Sequence, residues 1–312
     1  MLRVLEGGAL ATVQDRGRRG YQRFGVPQSG AVDAVAHAIA NRLVGNPPEA
    51  ASIEITWGGA VFEVLEPCVF AVTGADLGAR LAGATVPLWT SVYARVGQRL
   101  AFLQRVRGGR AYLALAGGVD VPVVLGSRST YLPGQFGGVE GRALRPGDYV
   151  RVAAPPRDLA RWAARRWASP PTYTNVLRVL LCGDWDRAAL AQPRQVGASS
   201  NRIGLRLEGV PLRAPTQSVD SFGVFPGVIQ LPPDGQPIVL LADAQPTGGY
   251  PVLGVVIQAD LHLAGQLLPG DTVWLMPVTR DEALDALREQ RAWLASPIEE
   301  DDAFLSLAHV RA

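Results

Sequence analysis

Short apolar stretches, each closed by glycine, proline or aspartate, recur along almost the whole chain. Among them are "ASIEITW", "AVFEVL", "CVFAVTG", "RAYLALAGG", "VLRVLLCG", "GVIQL", "PIVLLAD" and "DTVWLMPV". They are rich in valine, isoleucine and aromatic residues, whose branched or flat side chains pack well on a pleated surface. Most of the intervals between them are short and built of turn formers, so the strands are joined by tight turns. The 35 glycines and 24 prolines supply these turns, and "LPPDGQP" is a Pro-Asp-Gly hairpin signal between two strands. The pattern predicts a mainly β fold with a few helices, built as barrels or sandwiches. No repeat of fixed period is visible.

Three segments read as helices. "SGAVDAVAHAIANRLVGNPP" carries Val32, Val35, Ala36, Ile39 and Leu43 on one face and stops at Gly45-Asn46-Pro47-Pro48. Asp33, His37 and Asn41 recur every fourth residue on a second, polar face that looks toward solvent or a cleft, with solvent the expectation for His37. Between Pro155-Pro156 and Pro170-Pro171, "RDLARWAARRWAS" reads as a short basic linker helix. At Thr279 a capping box with Glu282 opens a third helix through Leu284 and Leu287, packed on the outside of the second domain. The expected organisation is an N-terminal β-rich domain over 1–154, a linker helix over 155–171, a β-barrel domain over 172–278 and a helical tail over 279–312.

A chain of 312 residues, 48% hydrophobic and 19% charged, is long enough for two cored domains. No apolar run approaches the roughly 20 residues that cross a bilayer, and the N-terminus lacks the features of a signal peptide, so a cytoplasmic protein without a membrane partner is expected. Cys68 and Cys182 lie in apolar surroundings and read as reduced, packed thiols, with a single pairing left open. A net charge of +2 and scattered arginines give no case for nucleic acid. All 30 basic residues are arginine, which removes a lysine-bearing P-loop, a Schiff-base lysine and a biotinylated lysine together. Nucleotide or biotin chemistry must therefore draw on other residues or on another chain. There is no HExxH, paired CxxC or GxSxG, and three separated histidines speak against a metal site.

What remains is a set of polar clusters in glycine-rich turns. "TVQDRGRRG" places Gln14, Asp15 and Arg16 after the first strand, and "GSRSTY" gathers Ser127, Arg128, Ser129 and Thr130. "SSNRIGLRLEG" adds Asn201 and Arg202, and Gln230 closes the strand "GVIQL". "DAQPTGGYP" follows the buried run "PIVLL" and crowds Asp243, Gln245, Gly248, Gly249 and Tyr250 where a strand leaves a core. Arginine forks and neighbouring hydroxyls are natural donors to a carboxylate or phosphate. One such cluster reads equally as a turn; four of similar chemistry point to a site.

The strings "TVQDRGRRGYQRFGVPQSGAVD", "ANRLVGN", "AGGVDVPVVLGSRSTY", "SSNRIGLRLEG", "PGVIQLPPDGQPIVLLADAQPTGGYP" and "QLLPGD" resemble the KipA/PxpC family, in order, from about Met1 to about Pro277. Its members are also described as allophanate hydrolase subunit 2-like or biotin-dependent carboxyltransferase-like proteins. The resemblance implies two β-barrel-like domains, the second cyclophilin-like. It implies the C subunit of an ATP-dependent 5-oxoprolinase, which opens 5-oxoproline to glutamate with a KipI/PxpB-like subunit and a PxpA-like subunit. ATP with Mg would be used by the complex, not necessarily bound by this chain. In the implied mechanism ATP phosphorylates the lactam oxygen and water attacks the ring carbon. The family motif makes Asp243, Gln245, Gly248, Gly249 and Tyr250 site candidates, and two departures from it, Val252 after "GGYP" and Pro246, bear on specificity.

The roles expected on this reading are anion donors at Arg128 and Arg202, a base or orienter at Asp243 or Asp15, and an oxyanion hole at Gly248 and Gly249. Tyr250 joins the catalytic candidates; Gln14, Asp33, Ser127, Ser129, Thr130, Asn201, Gln230 and Gln245 join the substrate or anion ligands. The candidates come from both halves of the chain, so a site where the domains meet, completed by a KipI-type partner, is expected. Two alternatives stand beside it. One is a carboxyltransferase component acting with biotin on urea or a related amide; the other is a noncatalytic regulator of a KipI-like kinase inhibitor.

Overall fold

The computed structural model describes residues 1–213 and 220–300. Contacts divide the chain into two compact units. The first comprises Met1–Gly17, Ala34–Thr172 and the chain from Pro297; the second comprises Arg18–Asp33 and Tyr173–Ser296. Both are mainly β, with four α-helices among the described residues, as the strand-rich pattern predicts.

In the first unit two sheets share one core. The seven-stranded sheet runs Val119–Asp120, Tyr149–Val152, Leu2–Gly7, Ala60–Val64, Arg99–Phe102, Ala79–Leu81, Ala84–Thr85, and the five-stranded sheet runs Leu10–Gln14, Ser52–Thr56, Arg107–Leu115, Cys68–Asp76, Ser91–Ala94. Period-2 alternation sends Leu2, Val4, Phe62, Val64, Leu100 and Phe102 of the first sheet against Val13, Ile53, Ile55, Phe70, Val72 and Leu113 of the second. The opposite face of the five-stranded sheet is also buried, because the helix Ala34–Leu43 lies on it and Thr73 Oγ1 donates to Ala36 O at 2.7 Å.

That helix corrects one expectation. Its apolar face is buried as predicted, but His37 and Asn41 are buried too, at 1% and 0% exposure. His37 meets Ser52 of the sheet, and Asn41 meets the Ala50 carbonyl and Asn46, so a solvated face is not required to satisfy them. The segment between Pro155 and Pro171 is a second correction: it makes only a 3-10 turn, Ala160–Trp162, and then runs extended. Ala164 N and Trp167 N donate to Ser91 O and Trp89 O at 3.0 and 2.9 Å, so sheet-edge pairing and burial of Trp167 override a helix too short to be stable alone.

The second unit is a closed barrel. Its strands run Val176–Leu181, Val252–Val256, Val228–Gln230, Ile238–Leu240, Gly204–Glu208, Arg194–Val196 and Thr272–Pro277, and the last pairs in parallel with the first to close it. Leu177, Val179, Leu205, Leu207, Ile229, Val239, Leu253 and Leu275 fill the interior. "LPPDGQP" joins Val228–Gln230 to its antiparallel neighbour Ile238–Leu240, as a hairpin signal should. Arg18–Asp33 is built into this unit: Ser29 N donates to Ala242 O at 2.9 Å, and Asp33 Oδ2 accepts from Tyr173 Oη and Gln266 Nε2 at 2.9 and 2.7 Å. The helix Arg280–Leu294 opens with the predicted capping box, Thr279 N and Glu282 Oε2 lying 2.7 Å apart. It packs through Ala283 and Ala286 on Ile257, leaving Leu284 39% exposed. The expected helical tail stops at Leu294: Glu299–Glu300 is a short strand paired antiparallel with Arg165–Arg166, where backbone pairing replaces helix, and the stretch from 301 lies outside the described residues. Both cysteines are free; Cys68 is buried, its thiol pushed up to about 11 by burial, whereas Cys182 is exposed rather than packed.

Candidate functional site

In the first unit the "QD" and "GSRST" clusters form one network. Asp15 Oδ1 accepts from Ser127 Oγ and Ser129 Oγ at 2.6 Å each and from Gly17 N at 2.7 Å, while Oδ2 accepts from Arg128 N at 2.5 Å. Thr130 donates through N and Oγ1 to Val13 O at 2.9 and 3.1 Å, and Gln14 Nε2 donates to Thr130 O at 3.2 Å. The carboxylate thus ties the turn to the strand end and presents the Arg128 side chain from a locked backbone. Gln14 Oε1 is buried and has no partner among the described residues.

Beside this network lies a polar layer that sequence reasoning passed over. Thr12, Glu54, Tyr112 and Thr73 stand opposite one another across four strands, with Gln14 opposite Ser52 and Arg110 opposite Thr56. Tyr112 Oη donates to Glu54 Oε2 at 2.7 Å, and His37 Nδ1 lies 2.8 Å from Ser52 Oγ. Burial drives the His37 pKa down to about 4, against the opposing pull of the Asp15 and Glu54 charges, so the ring is neutral at pH 7. The signal was present in "SIEIT": a strand buried on both faces, with Ser, Glu and Thr at every second position, declares a polar interior surface.

In the second unit Asp243 and Arg202 form a buried, two-pronged ion pair. Arg202 Nε donates to Asp243 Oδ2 at 2.9 Å and Nη2 to Oδ1 at 3.1 Å, and Nη2 also reaches Gly30 O at 2.7 Å. Gln230 points out of the barrel wall, buried, with Nε2 unpartnered among the described residues; it occupies the space a side chain at Gly248 would need. Gly248 pairs with Phe222 in a short two-stranded sheet. Gln245 and Gly249 are exposed, Tyr250 is 45% exposed, and Asn201, also exposed, uses Oδ1 to accept from Ile203 N at 2.7 Å in its own turn. Ser29 was not singled out from sequence; its hydroxyl is buried without a partner among the described residues, on a backbone held at φ 55°.

Among the described residues no group of three or more His, Cys, Asp and Glu is arranged to hold a metal, and the carboxylates of Asp15, Asp33 and Asp243 are each turned onto protein donors. No lysine is present to carry biotin. Among the described residues, no helix is long and apolar enough to cross a membrane.

Residues 24–277 match the carboxyltransferase domain, subdomain A and B, and the chain belongs to that family. It is 39% identical to the C subunit of 5-oxoprolinase from Escherichia coli, over 94% of this chain and 96% of that one. The corresponding protein of Haemophilus influenzae is 33% identical over the same shares. Among solved structures it resembles the urea amidolyase of K. lactis at a TM-score of 0.84 and 30% identity, covering 94% of this chain but 20% of that much longer one.

Proposed function

We propose that the chain is the C subunit of an ATP-dependent hydrolase that opens 5-oxoproline to glutamate in a complex with KipI/PxpB-like and PxpA-like subunits. The observation that carries the reading is similarity, over 94% of this chain and 96% of theirs, to two proteins named as the C subunit of 5-oxoprolinase. The chemistry supports it. A substrate with a carboxylate needs an anion donor, and the first unit offers the fork of Arg128; the second unit, taken by itself, offers the orphaned amide of Gln230. ATP, when bound by the complex, supplies activation of the amide; this chain's part is to hold the carboxylate and orient the ring.

Co-expressing the chain with its neighbouring subunits and measuring ATP-dependent glutamate release from 5-oxoproline tests this. Turnover that requires all subunits is expected; no turnover with every cognate subunit present refutes it. Likeness to urea amidolyase supports a second reading, a biotin-dependent carboxyltransferase component. It predicts dependence on bicarbonate and on a biotin carrier chain in the same assay.

A further inference from the structure

A recess of about 360 Å³ opens in the first unit beside the C-terminal end of the helix Ala34–Leu43. Val44, Pro47, Val119 and Trp162 give it apolar walls, and Arg128 is the one cation lining it. Arg128 donates through Nε to Val121 O at 3.1 Å and makes no other side-chain hydrogen bond or ion pair among the described residues. The four N–H bonds of its two terminal nitrogens therefore stay available, on a half-buried side chain whose own turn is locked by Asp15. The charge is preorganised and uncompensated, which is the condition under which an arginine fork takes up a carboxylate.

The Trp162 part of the lining is equally fixed. The Trp162 ring lies where Gly45 would carry a Cβ, and the Arg161 and Arg165 guanidinium carbons stand 5.6 and 4.8 Å from its centre. Glu49, exposed on the rim, is the one carboxylate on the lining. The volume is near the low end of ligand pockets, which run from roughly 300 to 1,000 Å³.

We propose that this recess binds a small amino-acid-derived carboxylate, its carboxylate on the Arg128 fork, its body against Trp162 and its N–H toward Glu49. Choosing 5-oxoproline and glutamate as probes rests on the hydrolase reading above. Titration calorimetry of the whole purified chain with 5-oxoproline, with L-glutamate and with inorganic phosphate tests the site. Saturable binding of at least one carboxylate is expected, weakened at least tenfold by Arg128→Gln and by Trp162→Ala, with phosphate weaker by a similar factor. Glu49→Gln changes an exposed rim residue and keeps the test open if either other variant fails to fold; it is expected to weaken glutamate several-fold. The site is overturned if neither carboxylate saturates, if phosphate alone binds, or if the folded variants bind as the parent does. In the reconstituted complex, turnover with an unchanged KM in all three variants overturns the site and leaves the hydrolase standing. Carboxylate binding that depends on Arg128 in a complex without turnover supports the site and removes the hydrolase.

Discussion

Asp243 commits both oxygens to Arg202, and Arg202 gives one nitrogen to Gly30 as well. Removing one partner of a buried pair leaves the other charge without compensation, a loss of about 3–5 kcal/mol, whereas replacing both with apolar groups is often close to neutral. Asp243→Ala should therefore lower unfolding free energy in urea by about that amount, and Asp243→Leu with Arg202→Met by clearly less than the sum of the single changes. A double-variant loss equal to the sum of the single losses would instead mark the two side chains as uncoupled contributors to packing alone. His37 carries a pH signature. Its folded pKa, about 4, is below the unfolded value of 6.5, so between those values the unfolded chain binds the extra proton and stability rises with pH. The contribution is present above pH 6.5 and falls away toward pH 4, on the order of 3 kcal/mol in all. Thermal midpoints across that window should drop for the parent and drop less for His37→Gln. The roles of these residues were unevenly legible. "DAQPTGGYP" announced Asp243, but nothing local to it says that Arg202, 41 residues away, occupies both its oxygens.

At the scale of elements, the strands and the capping box followed from periodicity and turn chemistry, which are local properties. What the chain hid was which polar residues face a packed neighbour. His37 and Asn41 look like a solvated helix stripe until Ser52 and Tyr112 are known to lie against His37, and Ala50 and Asn46 against Asn41. The helix Ala34–Leu43 also depends on a partner it cannot announce. Gly45 just beyond it sits at φ 75° against the Trp162 ring, and Arg165 Nη1 donates to Arg42 O and Leu43 O at 3.1 and 3.3 Å. Gly45→Ala adds backbone strain of about 1–2 kcal/mol and forces the indole aside, an overpacking penalty of about 1–3 kcal/mol. A loss of stability is expected that shrinks in Gly45→Ala combined with Trp162→Leu, because the collision goes and only the strain stays; chemical denaturation of the four proteins of that cycle measures it.

For the whole molecule, the second unit is not one continuous stretch of chain. Asp33 accepts from Tyr173 and Gln266, and Gly30 from Arg202, so the barrel segment 173–296 expressed alone would bury Gln266 and Arg202 without those acceptors. Such a fragment should be markedly less stable than the same barrel supplied with a peptide covering 18–33, and calorimetry with and without the peptide gives the comparison. Indifference to the peptide would show the barrel to be self-sufficient.

The same arrangement puts a clock into biosynthesis. Asp33 leaves the ribosome 233 residues ahead of Gln266. At about 5–20 residues per second, the segment bearing Ser29, Gly30 and Asp33 waits roughly ten to fifty seconds for the strands that will receive it. In the finished structure Gly17 and Ala34 on either side of it belong to a different unit. A nascent chain of this design holds an unfilled loop open through most of its synthesis, so translation speed and early chaperone engagement bear on its yield more heavily than on that of a protein whose domains emerge one after another.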